Sequence, residues 1–200
     1  MNRRLFLSAI LLCLCLVQTA RAQFNEYAVP DKYLQYVPGA AALFLPFTGV
    51  EAGHSWFWDR TIVAGVGFLA ESAIVNSLKY TVRETRPDGS ADNSFPSGHT
   101  ATAFLGAEMV RCELGWGWGA GAYAVATSVA VLRVCHQRHW WWDVAAGAGV
   151  GVLSAHIGYW VLQPVKNLFG IRTPERFKVA ALPAIDPYSG TFCASLAMTF

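Results

Sequence analysis

The sequence predicts an all-α protein, a transmembrane bundle of about five or six helices. A short β-hairpin laid on the helical body is expected at its C-terminal end. Three observations carry that expectation. The 200 residues are 54% hydrophobic and 14% charged, against about 25% charged in ordinary soluble domains. Four stretches near the length needed to cross a bilayer carry almost no charge. Tryptophans (Trp56, Trp58, Trp116, Trp118 and Trp140 to Trp142) gather at the ends of those stretches, as an aromatic belt would.

Residues 1–22 read as a secretory signal peptide. Arg3 and Arg4 precede an apolar run from Leu5 to Val17, and Ala20-Arg21-Ala22 offers a small-residue cleavage site, with cleavage expected after Ala22. Left uncleaved, the same segment would be an anchor. Residues 23–178 form the expected helical domain. Within it, residues 33–50 are uncharged but interrupted by Pro38 and Pro46. Residues 61–78 carry only Glu71, residues 115–132 carry no charge, and residues 144–165 carry none apart from the ionisable His156. The shorter run of residues 100–110, with Glu108, reads as a helix tucked among the others. Gly117-x3-Gly121 and Gly147-x3-Gly151 are spaced to let helices approach closely. In the tail, residues 179–200, apolar Phe192, Ala194, Leu196, Met198 and Phe200 alternate with Cys193, Ser195 and Thr199. That period of two is a strand's, and the turn residues Asp186-Pro187-Tyr188-Ser189-Gly190 precede it.

Charge and cysteine content exclude some classes. The formal net charge of +2 falls to −1 without Arg3, Arg4 and Arg21, leaving 12 basic against 13 acidic residues. There is thus no broad basic surface to recruit nucleic acid. Cys112, Cys135 and Cys193 lie beyond the leader, an odd number without metal-site spacing, so no disulfide framework is implied.

The stretch from Lys79 to His99 carries the chemistry. Lys79, Arg83 and Arg86 recur at i, i+4 and i+7, so a helix through them would put three cations on one face. Pro96-Ser97-Gly98-His99 then opens an apolar helical run. A Ser-Gly pair at a helix start presents backbone N–H groups and the positive end of the dipole to an anion. Further on, Asp143 follows His139 by four residues, so one helical turn lets its carboxylate hold the imidazole. Singly, these residues have ordinary explanations: Arg133 and Arg138 as interfacial anchors, His99 as a capping residue. His136-x2-His139-x3-Asp143 would also suit a metal, although the surrounding arginines and lysine would repel a cation. Arg83 is spaced to face the site or to pair with Glu84 or Asp88. Glu108 is spaced to pair with Arg111, and His156 to bond another helix.

Together these blocks resemble the phosphatidic acid phosphatase type 2 superfamily of lipid and acid phosphatases. The family pattern is Lys-x6-Arg-Pro, Pro-Ser-Gly-His and Ser-Arg-x5-His-x3-Asp. Here it reads Lys79 to Arg86-Pro87, Pro96 to His99, and Leu132-Arg133-x5-His139-x3-Asp143, with Leu132 in place of the serine. The resemblance covers roughly residues 60–165. It implies that His139 is a nucleophile forming a phosphohistidine, that Asp143 is its partner, and that His99 is the acid for the leaving group. Lys79, Arg86, Arg133, Ser97 and Gly98 would hold the phosphate, with no metal and no cofactor.

The implied protein is a hydrolase of phosphorylated membrane lipids. Lipid A, polyprenyl diphosphates and glycerophospholipid phosphates are the candidate substrates, and no obligatory protein partner is evident. If all five apolar segments cross, both motif loops emerge on one face, and an exported N-terminus makes that face periplasmic in an inner-membrane protein; if residues 33–50 only dip into the membrane, the orientation inverts. The rivals are a soluble secreted acid phosphatase with the same blocks and an inactive membrane scaffold. Vanadium-dependent haloperoxidases share the motifs but are usually longer chains.

Overall fold

The computed structural model describes residues 30–54, 56–172, 178–185 and 192–199. The expected signal peptide of residues 1–22 and the turn at residues 186–190 lie outside the described residues. In chain order come α1 (Pro30–Leu34), α2 (Val37–Phe44), a 3-10 turn (Leu45–Thr48), α3 (Phe57–Thr81), α4 (Gly98–Cys135), α5 (Trp141–Phe169), β1 (Lys178–Ile185) and β2 (Phe192–Thr199). Two compact units divide the chain at Val165 and Lys166.

Of the five or six membrane helices expected, three are long and apolar enough to cross a bilayer among the described residues: α3, α4 and α5. The difference has two causes. Pro38 lies in the first turn of α2 and Pro46 in the first turn of the 3-10 segment, and a proline suits a helix start better than its interior. Residues 33–50 are therefore several short pieces rather than one span. The runs at 100–110 and 115–132, expected as separate helices, are two helices that meet at a kink at Gly115 and together make up the single long element α4. Gly115 takes φ 79°, a left-handed conformation open to glycine at little cost. Residues 98–114 and 116–135 thus become antiparallel arms. Tyr123 bonds Glu108 across them, and Ala126 and Val129 pack on Ala103 and Ala107.

Small residues set the helix spacing. Without a hydrophobic force between helices in lipid, association depends on close packing. A Cβ at Gly147 would lie 2.5 Å from the Ser97 carbonyl oxygen, and one at Gly151 would overlap the Ala101 carbonyl oxygen. The expected Gly147-x3-Gly151 approach is thus the seam between α5 and the first arm of α4. Gly117 and Gly121, by contrast, meet nothing; Gly119 packs on Arg111 instead. Gly106 meets the backbone of Gly39, where α2 lies on the same arm. Ala42, Val63, Leu105, Met109, Val110, Ala155 and Leu162 form the main apolar core.

Buried carboxylates at the Gly115 end are satisfied by hydrogen bonds and ion pairs, most of them from other segments. Glu113 accepts from His54 N at 2.8 Å and from the Tyr159 hydroxyl at 2.9 Å, with His54 Nδ1 at 2.9 Å. Glu108 accepts from Arg111 Nε at 2.7 Å and sits 2.8 Å from His156 Nε2. Glu108 thus pairs with Arg111, and His156 with another helix, as the spacing suggested.

In the second unit, β1 and β2 pair antiparallel, with Lys178 opposite Thr199 and Ile185 opposite Phe192. The alternating segment of the tail is β2.

Gly147→Ala should force α5 away from the start of α4 and cost about 1–3 kcal/mol, the range for overpacking a tight interface. Gly149→Ala, which points into open space, should melt within about 1 kcal/mol of the parent. Detergent-solubilised thermal melts of the two variants check this.

Candidate functional site

The three sequence blocks reach the same end of the bundle, by a route that differs from the helical-face expectation. α3 stops at Thr81 because Val82 turns extended (φ −102°, ψ 94°). Lys79 therefore sits on the last helical turn, while Arg83 and Arg86 lie past it. The loop is folded by its own ladder: Arg86 N donates to Ala91 O at 2.9 Å, and Ser94 N donates to Glu84 O at 2.9 Å. Pro87 disfavours a helical Arg86, in keeping with this open course. Asp88 is engaged by Arg138 at 3.1 Å and Glu84 by the Trp142 indole at 2.8 Å. Arg83 pairs with neither. Trp140 donates to Thr85 O at 3.0 Å, so two tryptophans expected in an interfacial belt also pin the loop.

The loop delivers Pro96-Ser97 to the start of α4. Ser97, in extended conformation (φ −74°, ψ 108°), caps the helix through its backbone without a side-chain cap bond. Its N–H donates to Asp143 O at 3.0 Å, and its hydroxyl accepts from Thr100 Oγ1 at 3.0 Å. Gly98 and His99 form the first turn, both half-buried. Their helix end carries the partial positive charge that favours anions.

Asp143 is fully buried in the first turn of α5 and gathers the centre around one oxygen. Its Oδ2 accepts from the Ser94 hydroxyl and from Trp140 N at 2.9 Å. It also lies 3.4 Å from Nδ1 of His139, a ring only 3% exposed. A carboxylate against Nδ1 favours a proton there and leaves Nε2 with a free lone pair. Ser94, which no motif pointed to, stands 3.5 Å from the same nitrogen and is fully buried. It sits in a Gly/Asp/Asn-rich loop, where one serine among turn residues gives no signal.

The electrostatics follow from this burial. Loss of solvation pushes His139 down to about 4; the positive charges of Arg133 and Lys79 act the same way, Asp143 opposes them, and Arg86 adds to the lowering. At neutral pH the ring is therefore neutral, the form a nitrogen nucleophile needs. Burial also holds Glu84 above its ordinary range, against the Trp142 hydrogen bond, and nearby Asp143 raises it further. Arg86 keeps its Nε buried with no hydrogen-bond partner among the described residues, which an incoming oxyanion would satisfy.

The structure thus brings together Lys79, Arg86, Arg133, His139 and Asp143, with Ser97 bonded to the Asp143 backbone. Gly98 and His99 adjoin the group through Ser97. Among the described residues, no three His, Cys, Asp or Glu side chains are grouped to hold a metal.

At pH 5.5, where an ordinary histidine is mostly protonated, His139 should be neutral; nitrogen chemical shifts of labelled protein read this directly. Ser94→Ala leaves a buried carboxylate short of a donor and should cost about 1–3 kcal/mol in thermal unfolding.

Comparison with known proteins gives the family. A lipid A 1-phosphatase of Porphyromonas gingivalis is 39% identical over 136 residues, 66% of this chain and 30% of that protein. The chain therefore matches under a third of that relative's length. A solved structure, Aquifex aeolicus LpxE, superposes with a TM-score of 0.53 over 73% of this chain and 93% of its own; at 22% identity the likeness concerns the fold. Residues 60–166 match the PAP2 superfamily. That match spans more than half of the chain and contains every motif residue assembled above, so this protein belongs to the PAP2 superfamily.

Proposed function

We propose that the protein is a metal-independent phosphatase that removes phosphate from a membrane lipid through a phosphohistidine at His139. One observation carries the reading: a buried imidazole 3.4 Å from Asp143, beside three cations and a helix N-terminus. A phosphate ester repels nucleophiles through its own negative oxygens. Lys79, Arg86 and Arg133, with N–H groups at Ser97 and Gly98, would offset that charge and follow it into the transition state.

The steps balance as two displacements. Nε2 of His139 attacks phosphorus as the ester oxygen departs, taking a proton from His99. Water, deprotonated by the same His99, then attacks the phosphohistidine and releases phosphate. Asp143 stabilises the ring while it carries the phosphoryl group. Leu132, where the family has serine, removes one hydroxyl at the edge of the anion site.

The substrate is an amphiphile, because the site caps a bundle of helices able to cross a bilayer. Lipid A phosphate is the first candidate, favoured by the P. gingivalis relative; polyprenyl diphosphates and glycerophospholipid phosphates follow. The periplasmic side of the inner membrane is the proposed location. Although no single helix spans residues 33–50, that segment descends beside the first arm of α4. Leu34 packs near Ala103 and Ala107, Ala42 near Met109 and Val110, and Phe47 on Phe57. The chain thus moves away from the site end before α3 returns to it, which supports the parity count.

Phosphate release should be measured over these lipids with wild type and His139→Ala. The variant should lose about 10⁴-fold or more, and vanadate, which mimics the five-coordinate phosphorus, should inhibit the parent. Activity in His139→Ala, or loss of wild-type activity on chelation, would overturn the proposal.

A further inference from the structure

A second polar cavity of about 420 Å³ adjoins the anion site and shares Lys79 with it. Asn76, Lys79, Tyr80 and Arg83, on and just past the last turns of α3, form one wall; Asp92 and Asn93 form the other. The reaction outlined above uses only Lys79 of these.

Their hydrogen-bonding state sets the kind of ligand the cavity would take. Lys79 Nζ donates to Asn93 O at 2.6 Å, which ties the two walls together. Asp92, which lines the cavity, accepts from Thr85 through Oδ1 at 2.8 Å, and its Oδ2 has no hydrogen bond among the described residues. Arg83 makes no hydrogen bond or ion pair among the described residues, since its two neighbouring carboxylates are engaged elsewhere. The cavity thus offers donors from Arg83, an acceptor from Asp92, and groups of both kinds from Asn76 and Tyr80.

That mixture selects among head groups. A second phosphate would meet the Asp92 carboxylate, whose charge offsets Arg83 once Lys79 is committed to the reacting phosphate. Hydroxyl groups each donate and accept, and vicinal hydroxyls suit a carboxylate and a guanidinium facing one another.

We propose that this cavity is a hydroxyl-binding subsite that takes a sugar or polyol attached directly to the scissile phosphate, with Arg83 and Asp92 as its selecting residues. The proposal rests on the phosphatase reading for its geometry, but its test is a binding measurement that needs no turnover.

Detergent-solubilised His139→Ala protein is titrated with glucose 1-phosphate, methyl phosphate and methyl diphosphate by calorimetry. Glucose 1-phosphate should bind about tenfold tighter than methyl phosphate, the worth of one or two charge-assisted hydrogen bonds. Adding Arg83→Met or Asp92→Asn should bring that ratio to within about twofold, with the circular dichroism spectrum unchanged. Equal affinities in the parent, absence of saturable glucose 1-phosphate binding, or a parallel loss for all three probes in Arg83→Met would overturn the subsite. So would a preference for the diphosphate that depends on Arg83. Failure of the wild type to release phosphate from lipids would count against the phosphatase reading alone and leave the binding ratio to decide this one.

Discussion

Everything at the site depends on how one buried carboxylate is held. Asp143 has no exposed surface, so each interaction it makes in place of water must come from the protein. The donors arrive from two directions: Ser94 from the loop before α4, and Trp140 N from the turn before α5. Its own carbonyl receives Ser97 N. The residue that orients His139 therefore also joins the start of α4 to the start of α5. Site geometry and helix docking are one constraint, which explains why glycine stands at 147, one turn below, where a side chain would separate the same helices.

Around that constraint the protein gathers positive charge. Arg133, Lys79 and Arg86 all bear on the buried ring of His139. Cations so close repel one another, and an anion placed between them would relieve that repulsion. Burial is the larger cause that lowers the proton affinity of that imidazole, and the same positive charges add to it.

Much of this was legible in the chain. The three blocks named Lys79, Arg86, Arg133, His139 and Asp143, which the fold brings to one end of the bundle; cations and an imidazole–carboxylate pair at restricted spacing are what made them legible. The helical character was legible from uncharged stretches. Harder to read was how the chain turns. Gly115 is one glycine among Gly117, Gly119 and Gly121, and only the fold distinguishes the one at positive φ from its neighbours. The shared face of Lys79, Arg83 and Arg86 assumed a helix continuing to 86, whereas the chain turns extended at Val82. Ser94 and Glu84 act through contacts with residues about 50 positions away, which no local pattern encodes.

The carboxylates buried near Gly115 bear on how such a chain enters a bilayer. Glu108 finds Arg111 within its own arm, so that arm travels with an internal counter-ion. Glu113 relies instead on His54, which precedes α3, and on Tyr159, deep in α5. An intermediate lacking the last helix would hold that acid short of a partner in hydrocarbon, at a cost of several kcal/mol. Arrival of α5 is therefore what makes the earlier segments comfortable in lipid, and the helix that brings Asp143 to one end of the bundle closes the other end in the same movement.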